Sequence, residues 1–249
     1  MKVSESQKRK TRKQLIEAAV DLFSEQGIDQ TTMKQVARAA GVGDATIYKY
    51  FPNKEKLLTG YFIWAAETAV ETAASVDGVE EFELQERLQL LVDSYLDVLL
   101  PEREFVAEIL KRFYQAPLSI VTDGLPGQNV FKDCIGEYFD LAIAQGEMEP
   151  LPFKEGVVSL LSDYVFALVL FWQRDESEEF AQTTQLVDLS LSCLVLLLKS
   201  GLIGKIMDLG GFLLKTQLFR LIERGEGVQQ LMQSLQLFRS GLGGMAGEK

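Results

Sequence analysis

The sequence predicts an all-α protein, and three observations carry that expectation. Apolar residues recur at three- and four-residue steps along most of the chain. Only 6 prolines are spread over 249 residues. Hydrophobic residues make up 47%, enough to build a packed helical core.

The first helix is expected from Ser6 to Gln26, with Leu15, Ala18, Ala19, Leu22 and Phe23 as its apolar stripe and Gly27 as its stop. A short helix follows from Met33 to Ala40. Thr32 is its expected N-cap, and Gln35 completes a capping box. Gly41-Val42-Gly43 then makes a tight turn, and a third helix is expected from Asp44 to Phe51, stopped by Pro52. Asn53 caps a fourth helix that runs to Ala74. Beyond it, helices are expected over 83–100, 102–115, 129–146, 153–174 and 178–199, separated by glycine and proline breaks. The apolar stretch 202–223 is weakened by Gly204, Gly210 and Gly211. Val228, Leu231, Leu235 and Phe238 mark a last amphipathic helix, and the tail 240–249 is expected to be disordered.

Charge is divided along the chain. The net charge is −11, yet residues 1–60 hold 11 Lys+Arg against 7 Asp+Glu, and the remainder holds 14 against 29. A basic head on an acidic body suits a protein that touches phosphates with one end. The chain has no histidine, which excludes imidazole metal ligands and histidine acid–base catalysis. Neither a nucleophile–base pair nor a phosphate-binding glycine loop is present, so no enzyme, metal or cofactor is expected. Cys134 and Cys193 sit in apolar helical runs and read as reduced thiols of a cytoplasmic protein. No signal peptide opens the chain, and Asp163 in the middle of 156–173 argues against a membrane span.

Two short helices across a glycine turn fit a helix-turn-helix. On the second, Ile47 and Phe51 share a face that can pack on Val36 and Ala40. The opposite face carries Ala45, Tyr48 and Lys49, edged by Thr46 and Tyr50. It fits a major groove about 12 Å wide. Lys49 can meet phosphate or guanine, and the hydroxyls of Thr46, Tyr48 and Tyr50 can donate to phosphates. Thr32 with the second helix N-terminus, Lys54 and the basic run 8–13 are further backbone contacts, and Thr31, Gly43 and Asp44 complete the expected DNA-binding residues.

Residues 11–58 resemble the TetR family of bacterial transcriptional regulators. Ile16, Ala18-Ala19, Leu22-Phe23, Gly27, Thr31-Thr32, Val36-Ala37, Ala40-Gly41-Val42, Thr46-Ile47-Tyr48, Tyr50-Phe51, Lys54 and Leu57 carry the resemblance. The family usually has serine where this chain has Gly43. Asp44 is expected to take over as cap of the third helix, with acceptance of a hydrogen bond from cytosine N4 as the other role.

The resemblance implies a helix-turn-helix DNA-binding domain at 1–52 and a helical effector-binding and dimerisation domain at 53–249. It implies a homodimer on double-stranded operator DNA, and a repressor released by a small, largely apolar effector. An activator or ligand-independent regulator on the same scaffold is the alternative. A helical interaction protein without DNA binding is the alternative of another class. The apolar helices 153–174 and 178–199 are the expected dimer interface. Tyr95, Phe113, Tyr138 and Phe166 are the expected effector contacts, and the stretch 117–127 is either a lid or a plain loop. Asp163 is either an interface residue or a pocket group. The stretch 201–239 either extends the interface or covers the pocket.

Overall fold

The computed structural model describes residues 4–115, 125–151, 153–202, 204–206 and 209–213. All regular structure among them is helical. Residues 1–199 form one unit and 200–249 another.

Among the described residues, nine α-helices follow in order through the first unit. They are α1 (Glu5–Gln26), α2 (Met33–Ala39), α3 (Ile47–Tyr50), α4 (Lys54–Ala74), α5 (Leu84–Leu99), α6 (Arg103–Gln115), α7 (Gln128–Ala144), α8 (Lys154–Trp172) and α9 (Ala181–Lys199). The caps explain the boundaries. Ser4 accepts from the Gln7 amide at 3.2 Å, and Gly27 closes α1 at φ 87°. Thr32 and Gln35 form the expected capping box. Asn53 accepts from the Lys56 amide at 2.8 Å to open α4.

The third helix is shorter than expected. The Gly43 carbonyl accepts from the Thr46 amide at 2.7 Å, so residues 43–46 form a hydrogen-bonded turn and α3 begins only at Ile47. Asp44 does not cap it. Its carboxylate accepts from Arg38 Nη2 at 3.4 Å instead.

The helices of the body pack around α4 and α5. α4 lies along α5, α7 lies against α8, and α9 returns to α5. Leu57, Phe62, Ala65, Ala66 and Ala69 of α4 are fully buried, as are Leu84, Leu91 and Leu99 of α5. The run of alanines allows close approach. Gly127, at φ 81°, enters α7 so close to α4 that a Cβ there would stand 3.1 Å from the Ala66 Cβ and 3.3 Å from the Phe62 carbonyl. The α8–α9 corner is held by polar groups. Arg103 donates to the carbonyls of Trp172, Gln173 and Asp175 at 2.8–3.1 Å and lies over the Trp172 and Phe180 rings. Asp175 accepts from the amides and hydroxyls of Ser177 and Thr183, which opens α9.

α8 and α9 are long and apolar enough to cross a membrane by length and composition. In the fold, α8 buries Val158, Leu161, Val165 and Val169, and Asp163 accepts from Gln128 of α7. Asp163 thus joins two helices of the same chain.

In the second unit, the described residues 202, 204–206 and 209–213 are helical. The remainder of 201–239, the helix expected around Val228–Phe238, and the tail lie outside the described residues.

Candidate nucleic-acid interface

The helix-turn-helix packs around a few buried side chains. Val36, Ile47 and Phe51 are buried, together with Leu15 and Phe23 of α1 and Ile28 of the following loop. Phe51 also seats on α4: a methyl group at Gly60 would overlap its ring. With Ile47 and Phe51 facing inward, Ala45, Tyr48 and Lys49 face solvent, and Thr46 and Tyr50 lie half-buried at the edges. Gly43 and Thr32 are exposed beside them. The face expected to enter a major groove is therefore the free face of α3.

Two expected DNA contacts are placed elsewhere. Thr31 is fully buried, and its hydroxyl donates to the carbonyls of Gly27 and Leu22. It therefore closes the α1–α2 loop from inside. Lys54 donates through Nζ to the Ile28 carbonyl at 2.6 Å and the Asp29 carbonyl at 3.4 Å, so its ammonium braces the same loop. Ala40 is only half-buried, whereas Val36 is the full packing partner.

The basic run at the start of α1 divides. Arg9 pairs with Glu71 and Arg12 with Glu67, both at 3.3 Å, which pins α1 along α4. Lys8 pairs with Glu5 and lies near Tyr50, beside the free face of α3; the hydrogen bond to Glu5 raises its pKa above the ordinary lysine value. Sequence reasoning missed Lys34 and Arg38, which are exposed four residues apart on α2. Helical spacing around the capping box was the available signal.

Behind the head lies an aromatic core. Phe105 of α6 stacks on Phe23 of α1 at 5.7 Å and meets Tyr61 of α4 edge-on at 5.3 Å. Tyr95 meets Phe131 at 4.8 Å, and Phe166 meets Phe62 at 6.2 Å. The hydroxyls of Tyr61 and Tyr95 are buried without a hydrogen-bond partner among the described residues. Burial pushes both phenols well above their ordinary pKa, so both remain donors. Tyr95 and Phe166 thus share one core, with Tyr61 added to it.

Tyr138 stands apart. It hydrogen-bonds Cys134 and lies near Arg87, whose Nη2 donates to Gln145 at 2.8 Å and Glu147 at 2.6 Å. Burial pushes the Cys134 thiol up to about 11, which keeps it protonated and unreactive. Phe113 lies on α6, but its side chain, like residues 117–124 of the expected lid, is outside the described residues.

A short recognition helix on a basic head, set on a long helical body, defines a helix-turn-helix DNA-binding protein. Residues 15–60 match the family model of bacterial regulatory proteins of the tetR family, and residues 87–213 match the tetracyclin repressor-like C-terminal domain. The chain belongs to the TetR family of DNA-binding transcriptional regulators. The Fatty acid metabolism regulator protein of Bacillus subtilis (strain 168) is 31% identical over 137 residues, covering 48% of this chain and 70% of that protein. HTH-type transcriptional repressor KstR of Rhodococcus jostii (strain RHA1) is 23% identical, covering 74% of this chain and 84% of that protein. Among solved structures, Thermus thermophilus FadR in complex with lauroyl-CoA matches with a TM-score of 0.53 at 23% identity, covering 72% of this chain and 92% of that one. FadR from Bacillus halodurans matches at 0.52 and 22%, covering 77% and 96%. These likenesses show the same fold.

Proposed function

We propose that this regulator is a cytoplasmic homodimeric repressor, with residues 1–52 as its DNA-binding head and 53–249 as its effector and dimer domain. The observation that carries the reading is the free face of α3. Ala45, Tyr48 and Lys49 point outward because Ile47 and Phe51 are anchored inward. In this reading Tyr48 meets the groove and Lys49 the phosphates at its edge, with Thr32, Gly43, Thr46 and Tyr50 along the backbone.

The dimer reading is supported by α8 and α9. Leu160 is 70% exposed, with Ala167 and Phe171 on the same stripe of α8. Leu189 is 56% and Leu196 67% exposed on α9, either side of Cys193. The hydroxyls of Tyr164 and Ser190 join the two helices between these stripes. Two such pairs across a dyad make a four-helix interface, and a dyad sets two recognition helices about 34–36 Å apart.

The effector reading is supported by the aromatic core and its two unpartnered hydroxyls. Buried donors call for an acceptor, so the part of the effector that enters this core has an apolar body and a neutral polar atom, such as a carbonyl. The Thermus thermophilus FadR structure holds lauroyl-CoA, which makes acyl thioesters the first class to test. An operator recovered from random DNA should lose affinity by at least tenfold with a long-chain acyl-CoA present. Changes below about twofold across a series of acyl chain lengths would overturn release by this class.

A further inference from the structure

The Arg38–Asp44 pair lies on the DNA-facing side of the head and belongs to no part of its core. Arg38 ends α2, and Asp44 opens the turn into α3, one helical turn before the exposed Tyr48. The side chains are 73% and 41% exposed, with Arg38 Nη2 at 3.4 Å from Asp44 Oδ2. Arg38 has no other partner among the described residues.

We infer that Arg38 reads a guanine in the operator half-site, and that Asp44 is the positioning residue that aims it. A lone carboxylate at the entrance of a recognition helix repels phosphate. Paired with Arg38, it forms a unit of no net charge, which lowers the pull of either group toward the backbone. The guanidinium is a planar fork with five donors. Asp44 accepts from one nitrogen, and the remaining donors face solvent. Guanine O6 and N7 are neutral acceptors side by side on the groove edge, and a forked donor fits them bidentately. Holding the arginine beforehand also reduces the side-chain freedom lost on binding. The missing side chain at Gly43 leaves this corner open: only the Thr46 hydroxyl, at 3.5 Å, neighbours the position a Cβ would take.

The test is selection from a random double-stranded DNA library by the full-length protein, followed by sequencing of the enriched pool. Wild type is compared with Arg38→Ala, Arg38→Lys and Asp44→Asn, with thermal unfolding as a check that each variant is folded. Arg38 is exposed and Asp44 half-buried outside the core, so unfolding temperatures should be unchanged. Wild type should enrich a half-site containing one guanine that Arg38→Ala no longer selects, with discrimination there falling about tenfold. Arg38→Lys should lose the same preference while keeping the charge. Asp44→Asn should weaken that preference and at the same time strengthen binding to non-specific DNA, a combination that a purely structural residue does not produce. Uniform weakening by Arg38→Ala, with every base preference intact, would mean a phosphate contact and overturn the inference. So would a preference changed by Asp44→Asn but not by Arg38→Ala, which would make Asp44 itself the reader of a cytosine amino group. A wild type that enriches no sequence would instead remove the DNA-binding reading on which the inference rests.

Discussion

In the head, α3 is 4 residues long and turns tyrosine and lysine outward, with Ala45 of the preceding turn beside them. In the body, α8 and α9 are 19 residues each and turn leucine and phenylalanine outward. Both surfaces are exposed, and in the proposed reading each meets a different partner. The head carries hydrogen-bonding and cationic groups on a small buried core, which suits a polyanion. The α8–α9 face is apolar over several turns, which suits a second copy of itself. A free face therefore says little until its chemistry is read with its extent.

The largest expected effect comes from reversing the chemistry of the apolar face. Leu189→Asp with Leu196→Asp should give a folded monomer by light scattering, with operator affinity reduced more than a hundredfold. A variant that stays dimeric would move the interface off α9. The next effect tests the join between head and body. Gly60→Ala should destabilise by about 2 kcal/mol, because its methyl meets the Phe51 ring inside a packed core. Gly136→Ala, in mid-α7 with nothing within 4 Å, should stabilise by up to about 1 kcal/mol. Thermal denaturation of the pair separates crowding from helix propensity. On the DNA side, Lys49→Ala should weaken operator binding about tenfold and lower the slope of log affinity against log salt by about 0.9. An unchanged slope would take Lys49 off the phosphates.

The last effect is read in acid and belongs to the corner between α8 and α9. Burial alone would raise the Asp175 pKa, but hydrogen bonds from Ser177 and Thr183 outweigh it and hold the group well below the usual carboxylate range. Its folded pKa lies below its unfolded one. The stability it contributes is therefore present above the unfolded value near 3.8 and is lost as pH falls toward the folded value. Asp175→Asn should flatten that part of the stability curve below about pH 4. A wild-type curve that coincides with the variant's there would remove Asp175 from acid sensitivity.

Legibility in the sequence followed the same division. Helix positions were readable within a few residues because their signals are local: Thr32 with Gln35, Asn53, Gly27 and the apolar period. The free face of α3 was readable for the same reason. Side-chain commitments were not. Thr31 and Lys54 looked like DNA contacts, yet each is held by carbonyls of the α1–α2 loop. Arg9 and Arg12 looked like a DNA arm, but Glu71 and Glu67 lie 62 and 55 residues away in sequence. Arg103 reaches carbonyls about 70 residues on. Asp44 shows the limit at short range, since a capping residue and an ion-pair partner have the same composition and differ only in side-chain direction.

The seat of Phe51 on Gly60 makes α4 a lever arm. The helix has 21 residues, hence a length of about 31 Å at 1.5 Å per residue. Gly60 lies roughly 21 Å from its far end by the same rise. A tilt of about 5° pivoting there carries the Phe51 seat by about 2 Å, and a dyad applies the same displacement to both heads. The next residue along the arm is Tyr61, whose hydroxyl lies in the aromatic core. One peptide bond separates the residue that bears the recognition helix from one that faces the interior. A movement felt by the second needs no relay to reach the first.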